Sequence, residues 1–263
     1  MFNCSFLVKI LRGPFLTLFF ILFLKTSTFA QVVNIEDRRI RVGDSLRWLG
    51  KADLGFNLIQ NTQQYLTASA AVQLEFKEKK HFVLSLSAYN LAKSSSQNIL
   101  NDGFQHVRYN YDITDKTVFE IYAQAQYNER VRLRLRTLAG TGLRFKILRK
   151  TATRFYLGTS YFYEHTQFRD TTIPFFTHRL SIYAAFSQKI GNSARFASTT
   201  YYQPDVFNLG NMRWASDNSL LVPLSKKCIF RLNLTLTYDT DPRLPEPVPD
   251  LIYAWTNGIR LEF

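Results

Sequence analysis

Cysteine is nearly absent from this chain: Cys4 and Cys228 are the only two in 263 residues. Long apolar runs are also missing beyond the first thirty residues. No later stretch of about 18 consecutive apolar residues occurs, which argues against a helical membrane span there. Histidine is scarce as well, with four residues, and no Cys/His cluster has the spacing of a metal site. What the chain has in quantity is aromatic residues, 15% of the total, and positive charge, with a formal net value of +13.

The one apolar run sits at the start. Lys9 and Arg12 precede Pro14 to Leu24 (PFLTLFFILFL), and Thr28 and Ala30 occupy the small positions of a cleavage site. That order predicts a secretory signal peptide over residues 1–30 and an exported chain starting at Gln31. The alternative, a retained anchor, is disfavoured by the shortness of the run. Cys4 precedes the run, whereas a lipid-modified cysteine would follow it. Cys228 is then the only exported cysteine, so no intrachain disulfide is expected. Loss of Lys9, Arg12 and Lys25 with the leader lowers the charge from +13 to +10. In an exported protein such charge suits anionic headgroups or an anionic solute better than nucleic acid.

The remainder has a period of two, which in a strand sorts side chains onto opposite faces. From Cys228, one face reads Cys228, Phe230, Leu232, Leu234, Leu236 and Tyr238; the other reads Ile229, Arg231, Asn233, Thr235, Thr237 and Asp239. The same sorting puts Arg132, Arg134, Arg136, Arg144 and Lys146 on one face of the segment from residue 132 to 147. About twelve strands follow, near 46–58, 65–76, 81–92, 104–113, 118–128, 132–147, 153–166, 178–189, 195–204, 213–224, 228–239 and 251–263. Residues 31–45 form a short arm before the first strand.

The connections alternate in character. FKEKKH, ITDKT, LRKTAT, QKIGNSA and LSKKC are tight and suit hairpin turns. SSSQNILNDG, QFRDTTIPFFT, DVFNLGNM and TDPRLPEPVPD are longer and more irregular. An even strand number with alternating short and long loops predicts an all-β fold, a single antiparallel up-and-down transmembrane β-barrel of about 12 strands over residues 46–263. A soluble sandwich or lipocalin-like barrel shares the period. Against it stand the signal segment, the loop asymmetry and aromatic residues near both ends of the apolar faces. Trp48, Phe76, Phe119 and Phe145 mark one end, and Tyr163, Tyr202, Trp214 and Tyr238 the other.

The stretch HVRYNYDITDKTVFEIYAQAQYNERVRLRLRTLAGTGLRFKI resembles the family of salt-induced outer-membrane proteins, a domain family of unknown function. LGTSYFYEH, ASTTYYQP, SDNSLLVPLSKK, LTLTYDTDP and TNGIRLEF are similar to it too, and the resemblance covers roughly residues 40 to 263. It implies an outer-membrane barrel inserted by the barrel assembly machinery, with periplasmic chaperones on the way. It brings no catalytic residues to carry over.

No catalytic constellation and no cofactor site emerge from the residues. Ser216-Asp217-Asn218 has no SxxK partner and lies on a strand. His165 and His178 are read as hydrogen-bonding rim residues. The candidate site is a lumen cluster of Arg108, Arg132, Arg134, Arg136 and Glu164, with Glu164 placed beside Arg136 in one register. Arginine suits planar recognition of carboxylate or phosphate, so the cluster reads as an anion-attracting constriction or as a salt-bridged filling. Tyr89, Tyr122, Tyr156, Tyr183 and Tyr201, with Phe162, are assigned to the lumen, where they would stack a ligand or pack the interior.

The expected function is a small polar or anion-favouring pore or a solute-binding barrel, linked through the resemblance to osmotic or envelope stress. The alternative is a non-conducting structural or interaction barrel. An enzyme ranks third. The expected surroundings are outer-membrane lipid and lipopolysaccharide, with no nucleic acid. The terminal NGIRLEF continues an outward set of Tyr253, Trp255, Ile259, Leu261 and Phe263, with Gly258 inward, and resembles the insertion signal of such barrels. Deletion of Phe263 should lower the membrane-inserted fraction while leaving export unchanged, which fractionation with a periplasmic protease-access assay would measure.

Overall fold

The computed structural model describes residues 47–60, 64–95, 97–171, 173–191, 194–225, 228–246 and 248–261. The expected leader, the arm and Phe263 lie outside the described residues. Twelve strands follow in order: β1 (Arg47–Gln60), β2 (Gln64–Glu78), β3 (His81–Ser94), β4 (Gln97–Asp112), β5 (Thr117–Asn128) and β6 (Leu133–Arg149), then β7 (Thr153–Phe168), β8 (Phe175–Ile190), β9 (Ala194–Pro204), β10 (Met212–Ser225), β11 (Cys228–Asp239) and β12 (Leu251–Leu261). They form one sheet in which every strand pairs antiparallel with its sequence neighbours. No helix occurs among the described residues. The expectation of an all-β, up-and-down arrangement of twelve strands therefore holds. No ladder between β1 and β12 occurs among the described residues, so the sheet is an open one.

The sheet curls strongly. Neighbouring strands lie about 4.8 Å apart, so strands three places apart are separated by roughly 14 Å in a flat sheet. Yet the Tyr183 hydroxyl on β8 donates to Glu120 on β5 at 2.6 Å. Arg213 on β10 meets Glu164 on β7 at 3.1 Å. The concave face is thus closed upon itself across β4 to β10, and it is polar. Five arginines and six carboxylates are buried there among the described residues, a nearly neutral set. The convex face carries the large exposed apolar residues, including Leu54, Ile121, Leu143, Leu157, Ile182 and Trp255.

Small residues let the concave face fill. A Cβ on Gly158 would lie 2.1 Å from the Tyr183 ring, and one on Gly142 would lie 2.3 Å from the Thr159 carbonyl oxygen. Gly158 on β7 thus leaves room for the Tyr183 ring, as Gly140 on β6 does for Tyr122, where a Cβ would lie 2.7 Å from the ring.

Two sequence expectations need correction. SSSQNILNDG is not a long loop: β3 runs to Ser94, β4 starts at Gln97, and Ser95 turns the chain at φ 53°. On β3, Leu84 and Leu86 point into the concave face, 0% and 1% exposed, while Tyr89 is exposed on the other side. The cause is the two-residue turn after Glu78, where Lys79 has φ 47° and Glu78 pairs with His81. That register sets Leu84 opposite Glu75 and Leu86 opposite Gln73, both inward.

Candidate functional site

The sequence places arginines at 132, 134 and 136 with alternating spacing, but the three do not share a face. Irregular register between Leu133 and Leu135 on the β7 side makes Arg134 the extra residue of a bulge. A bulge leaves its extra residue unpaired and re-aims the side chains around it. Leu133 turns inward at 1% exposure, Arg134 is exposed, and Arg136 is buried at 3%. Arg132 precedes the strand with φ 55° and sits at the mouth, 3.2 Å from Asp170. The same bulge moves the pairing on the other side: Arg136 lies opposite Gln126 and Leu138 opposite Gln124. Of the arginine ladder, Arg136 alone reaches the interior.

There it joins a cluster that the sequence shows only in part. Glu164 lies diagonally from Arg136, opposite Leu138, with Arg136 Nε 3.6 Å from its Oε1. Arg213 Nη1 reaches Glu164 Oε2 at 3.1 Å, and Arg179 Nε lies 3.8 Å from Oε1. Arg213 also donates through Nε to Asp239 at 2.8 Å. Arg179 reaches Asp241 at 3.5 Å and donates to Asn211 Oδ1 at 2.9 Å. Arg179, Arg213 and Asp239 each lie on the polar face by period-two sorting. Their convergence needs strands far apart in the sheet to meet, which no local pattern encodes.

A second layer forms nearer the other end. Glu120 is 1% exposed; Arg108 Nη1 lies at 3.2 Å and Arg144 Nη1 at 3.8 Å. The guanidinium of Arg108 also covers the Tyr122 ring, and that of Arg144 covers the Tyr156 ring at 3.9 Å. His106, buried, bonds through Nδ1 with Gln124 at 3.1 Å. Lys146 pairs with Asp112 at 2.7 Å. Tyr156, Tyr183 and Tyr201 pack together against Ala185. Between the two charged layers lies a cavity of about 50 Å³, lined by Arg108, Tyr122, Gln126, Arg136, Tyr201, Arg213 and their neighbours.

The connection after β11 closes one mouth. Arg243 donates to Asp241 at 2.6 Å and to Thr177 at 3.2 Å, and its guanidinium lies over the Phe175 ring. Burial pushes the Asp241 carboxyl up, but its bonds with Arg243 and the charge of Arg179 outweigh that and hold it below the usual aspartate range. From the opposite wall, Arg132 Nη1 donates to the Glu246 carbonyl at 2.9 Å. Beneath this connection is a chamber of about 200 Å³, with Phe168, Leu244, Val248 and Arg136 among its walls.

Other sequence candidates separate. Ser216 and Asn218 face outward, while Asp217 is buried inside, so the Ser-Asp-Asn run is split between two faces. Asn218 bonds Ser198 at 2.7 Å and Ser216 at 3.0 Å. His178 bonds Tyr161, and the His165 ring packs at a tilt against Phe176, with ring centroids 5.1 Å apart. Among the described residues, no three His, Cys, Asp or Glu side chains are grouped to hold a metal. On β12, Tyr253, Trp255 and Ile259 are exposed, and a Cβ added at Gly258 would meet nothing within 4 Å.

The fold and site define a class: an up-and-down antiparallel sheet of twelve strands wrapped around a charge-paired interior. The chain belongs to the family described as "Protein of unknown function, DUF481", which matches residues 52–248. No curated protein matches the sequence.

Removal of one member of a buried ion pair leaves its partner's charge uncompensated, at a cost of about 3–5 kcal/mol. Glu164→Gln should therefore destabilise the fold by that order in urea unfolding. Arg134→Gln, at the exposed bulge, should stay within about 0.5 kcal/mol of wild type. Equal losses in the two variants would contradict the assignment of Glu164 as the shared carboxylate.

Proposed function

We propose that the protein is an outer-membrane β-barrel, closed by pairing of β12 with β1, whose interior is braced rather than open. In this reading it is a non-conducting structural or interaction barrel. The observation that carries the proposal is the pair of charged layers centred on Glu164 and Glu120, which bridge non-adjacent strands across the interior. An aqueous channel needs a continuous polar path. Here Glu164 and Glu120 are engaged by arginines of the two layers, and the cavity between those layers is about 50 Å³.

Membrane placement draws support from the signal-like leader and from the apolar convex face. Aromatic pairs also stand at both ends of that face, Trp48 with Phe76 at 4.7 Å and Tyr202 with Trp214 at 5.0 Å. Aromatic girdles of this kind sit where rings meet lipid headgroups. Closure would remove the two unpaired edges that an open sheet cannot keep in lipid. Outer-membrane lipid and lipopolysaccharide then surround the barrel, and the barrel assembly machinery and periplasmic chaperones deliver it. The link to salt or envelope stress rests on the family resemblance alone.

One observation favours the second reading, an anion-favouring pore. Arg136 lines both the inner cavity and the outer chamber. Planar-bilayer recordings distinguish the two. The braced barrel stays silent across salts and voltages, and stepwise anion-selective conductance from the wild-type protein would refute it in favour of the pore.

Closure has its own test. In a Cys228→Ser background, cysteines at Leu54 or Phe56 combined with cysteines at Tyr253 or Trp255 should give at least one intrachain disulfide after membrane insertion. Disulfides need Cα atoms about 4.4–6.8 Å apart, so failure of every combination would argue against a closed seam.

A further inference from the structure

We infer that the chamber beneath the β11–β12 connection binds a small uncharged molecule, held by its apolar body and by one hydrogen bond with the Thr237 hydroxyl. The inference goes beyond the braced-barrel reading and rests on the lining of one cavity and on one unpartnered side chain. Among the described residues, none of β1 lines the chamber, so the site does not depend on closure of the sheet.

The chamber measures about 200 Å³. An apolar cavity of about 150 Å³ already takes up benzene, so the space suits one ring with a short substituent. Its apolar walls are Val131, Phe168, Leu244, Val248 and Ile252. Phe168 is 3% exposed, so this wall is a fixed part of the interior. The roof is fastened on both sides, by Arg132 to the Glu246 carbonyl and by Arg243 to Thr177. A pocket so held keeps its form before a ligand arrives, which lowers the ordering cost of binding.

Charge sets the ligand class. The wall carries two guanidinium groups, Arg130 and Arg136, and two carboxylates, Asp239 and Asp250, so its formal charge is zero. Arg136 lies against Glu164, and Asp239 receives Arg213 at one oxygen and the Asp241 amide at the other. An ionic ligand would give up its hydration here with no surplus of opposite charge to replace it. A neutral hydrogen-bonding group meets a different situation. Thr237, on β11, is 5% exposed and lines the chamber, and its hydroxyl has no hydrogen-bond partner among the described residues. A hydroxyl can donate one hydrogen bond and accept two, and burying it without any is costly. Asn233 and Thr235, further along the same face of β11, also have unpartnered buried oxygens, but neither lines the chamber. Thr237 is the member of that row placed to meet a ligand.

The test uses the full exported chain in phosphatidylcholine nanodiscs, with empty discs as the partition blank. Toluene, benzyl alcohol, benzoate and benzylamine serve as probes that share a ring and differ in polarity and charge. The methyl NMR signals of Leu244 and Val248 report occupancy of the chamber directly. Both uncharged probes should shift them saturably, and the two ions should bind at least about tenfold more weakly. Thr237→Val keeps the shape of the side chain and removes its hydroxyl. It should weaken benzyl alcohol about fivefold, the scale of one neutral hydrogen bond, and leave toluene unchanged. Thr235→Val should leave both unchanged. Leu244→Trp, which fills the chamber, should abolish the response at Val248. Val248→Trp, read at Leu244, is the second filling variant, and heat-modifiable gel migration reports that each is folded. Absence of saturation, ions binding as tightly as the uncharged probes, wild-type benzyl alcohol affinity in Thr237→Val, or a folded filling variant that still binds would each overturn the site. Should the chain stay outside the discs, the membrane reading fails and the same titration runs in buffer.

Discussion

Everything in this molecule is arranged around carboxylates that must not be left alone. Glu164 and Glu120 are each almost fully buried, and an isolated buried carboxylate costs several kcal/mol even after relaxation. Each is answered by two or three guanidinium groups, and the arginines that answer Glu164 come from β6, β8 and β10. A flat sheet cannot deliver them. The curvature of β4 to β10, the glycines that admit the tyrosines, and the bulge that aims Arg136 inward all serve the same constraint.

That constraint also explains why the interior is tightly specified where it is polar. Hydrogen-bonded ion pairs have directions and distances to satisfy, whereas an apolar filling tolerates many packings. The Tyr183 hydroxyl closes one such set with Glu120, and Arg179 uses both its charge and the Asn211 side chain to close another. β1, by contrast, is exposed on both faces and brings no member to either cluster.

The strands were legible because period two is a property of each strand by itself. Twelve runs could be sorted without knowing what they pack against. What period two cannot carry is parity across an irregularity. At Leu133–Leu135 one extra residue separates Arg134 from Arg136 and breaks the apparent arginine ladder. β3 misleads for another reason: its apolar set, Leu84 and Leu86, faces the charged interior. Counting across the two-residue turn from Glu75 would have shown it, since the residue opposite an inward glutamate must also point inward. The Arg136–Glu164 contact was within reach of register reasoning on neighbouring strands. Arg213 with Glu164 was not, because their strands meet only after the sheet has curled.

The reach of Glu164 across the sheet has a consequence in time as well as space. Its strand, β7, can pair with β6 and β8 before Arg213 on β10 exists as a neighbour. Glu120 on β5 likewise waits for Tyr183 on β8. A sheet growing one strand at a time therefore passes through stages in which both glutamates lack part of their final company. Water must serve as their partner until the later strands arrive. On such a route the cluster around Glu164 is complete only once β10 has brought Arg213 to it and β11 has brought Asp239 to Arg213.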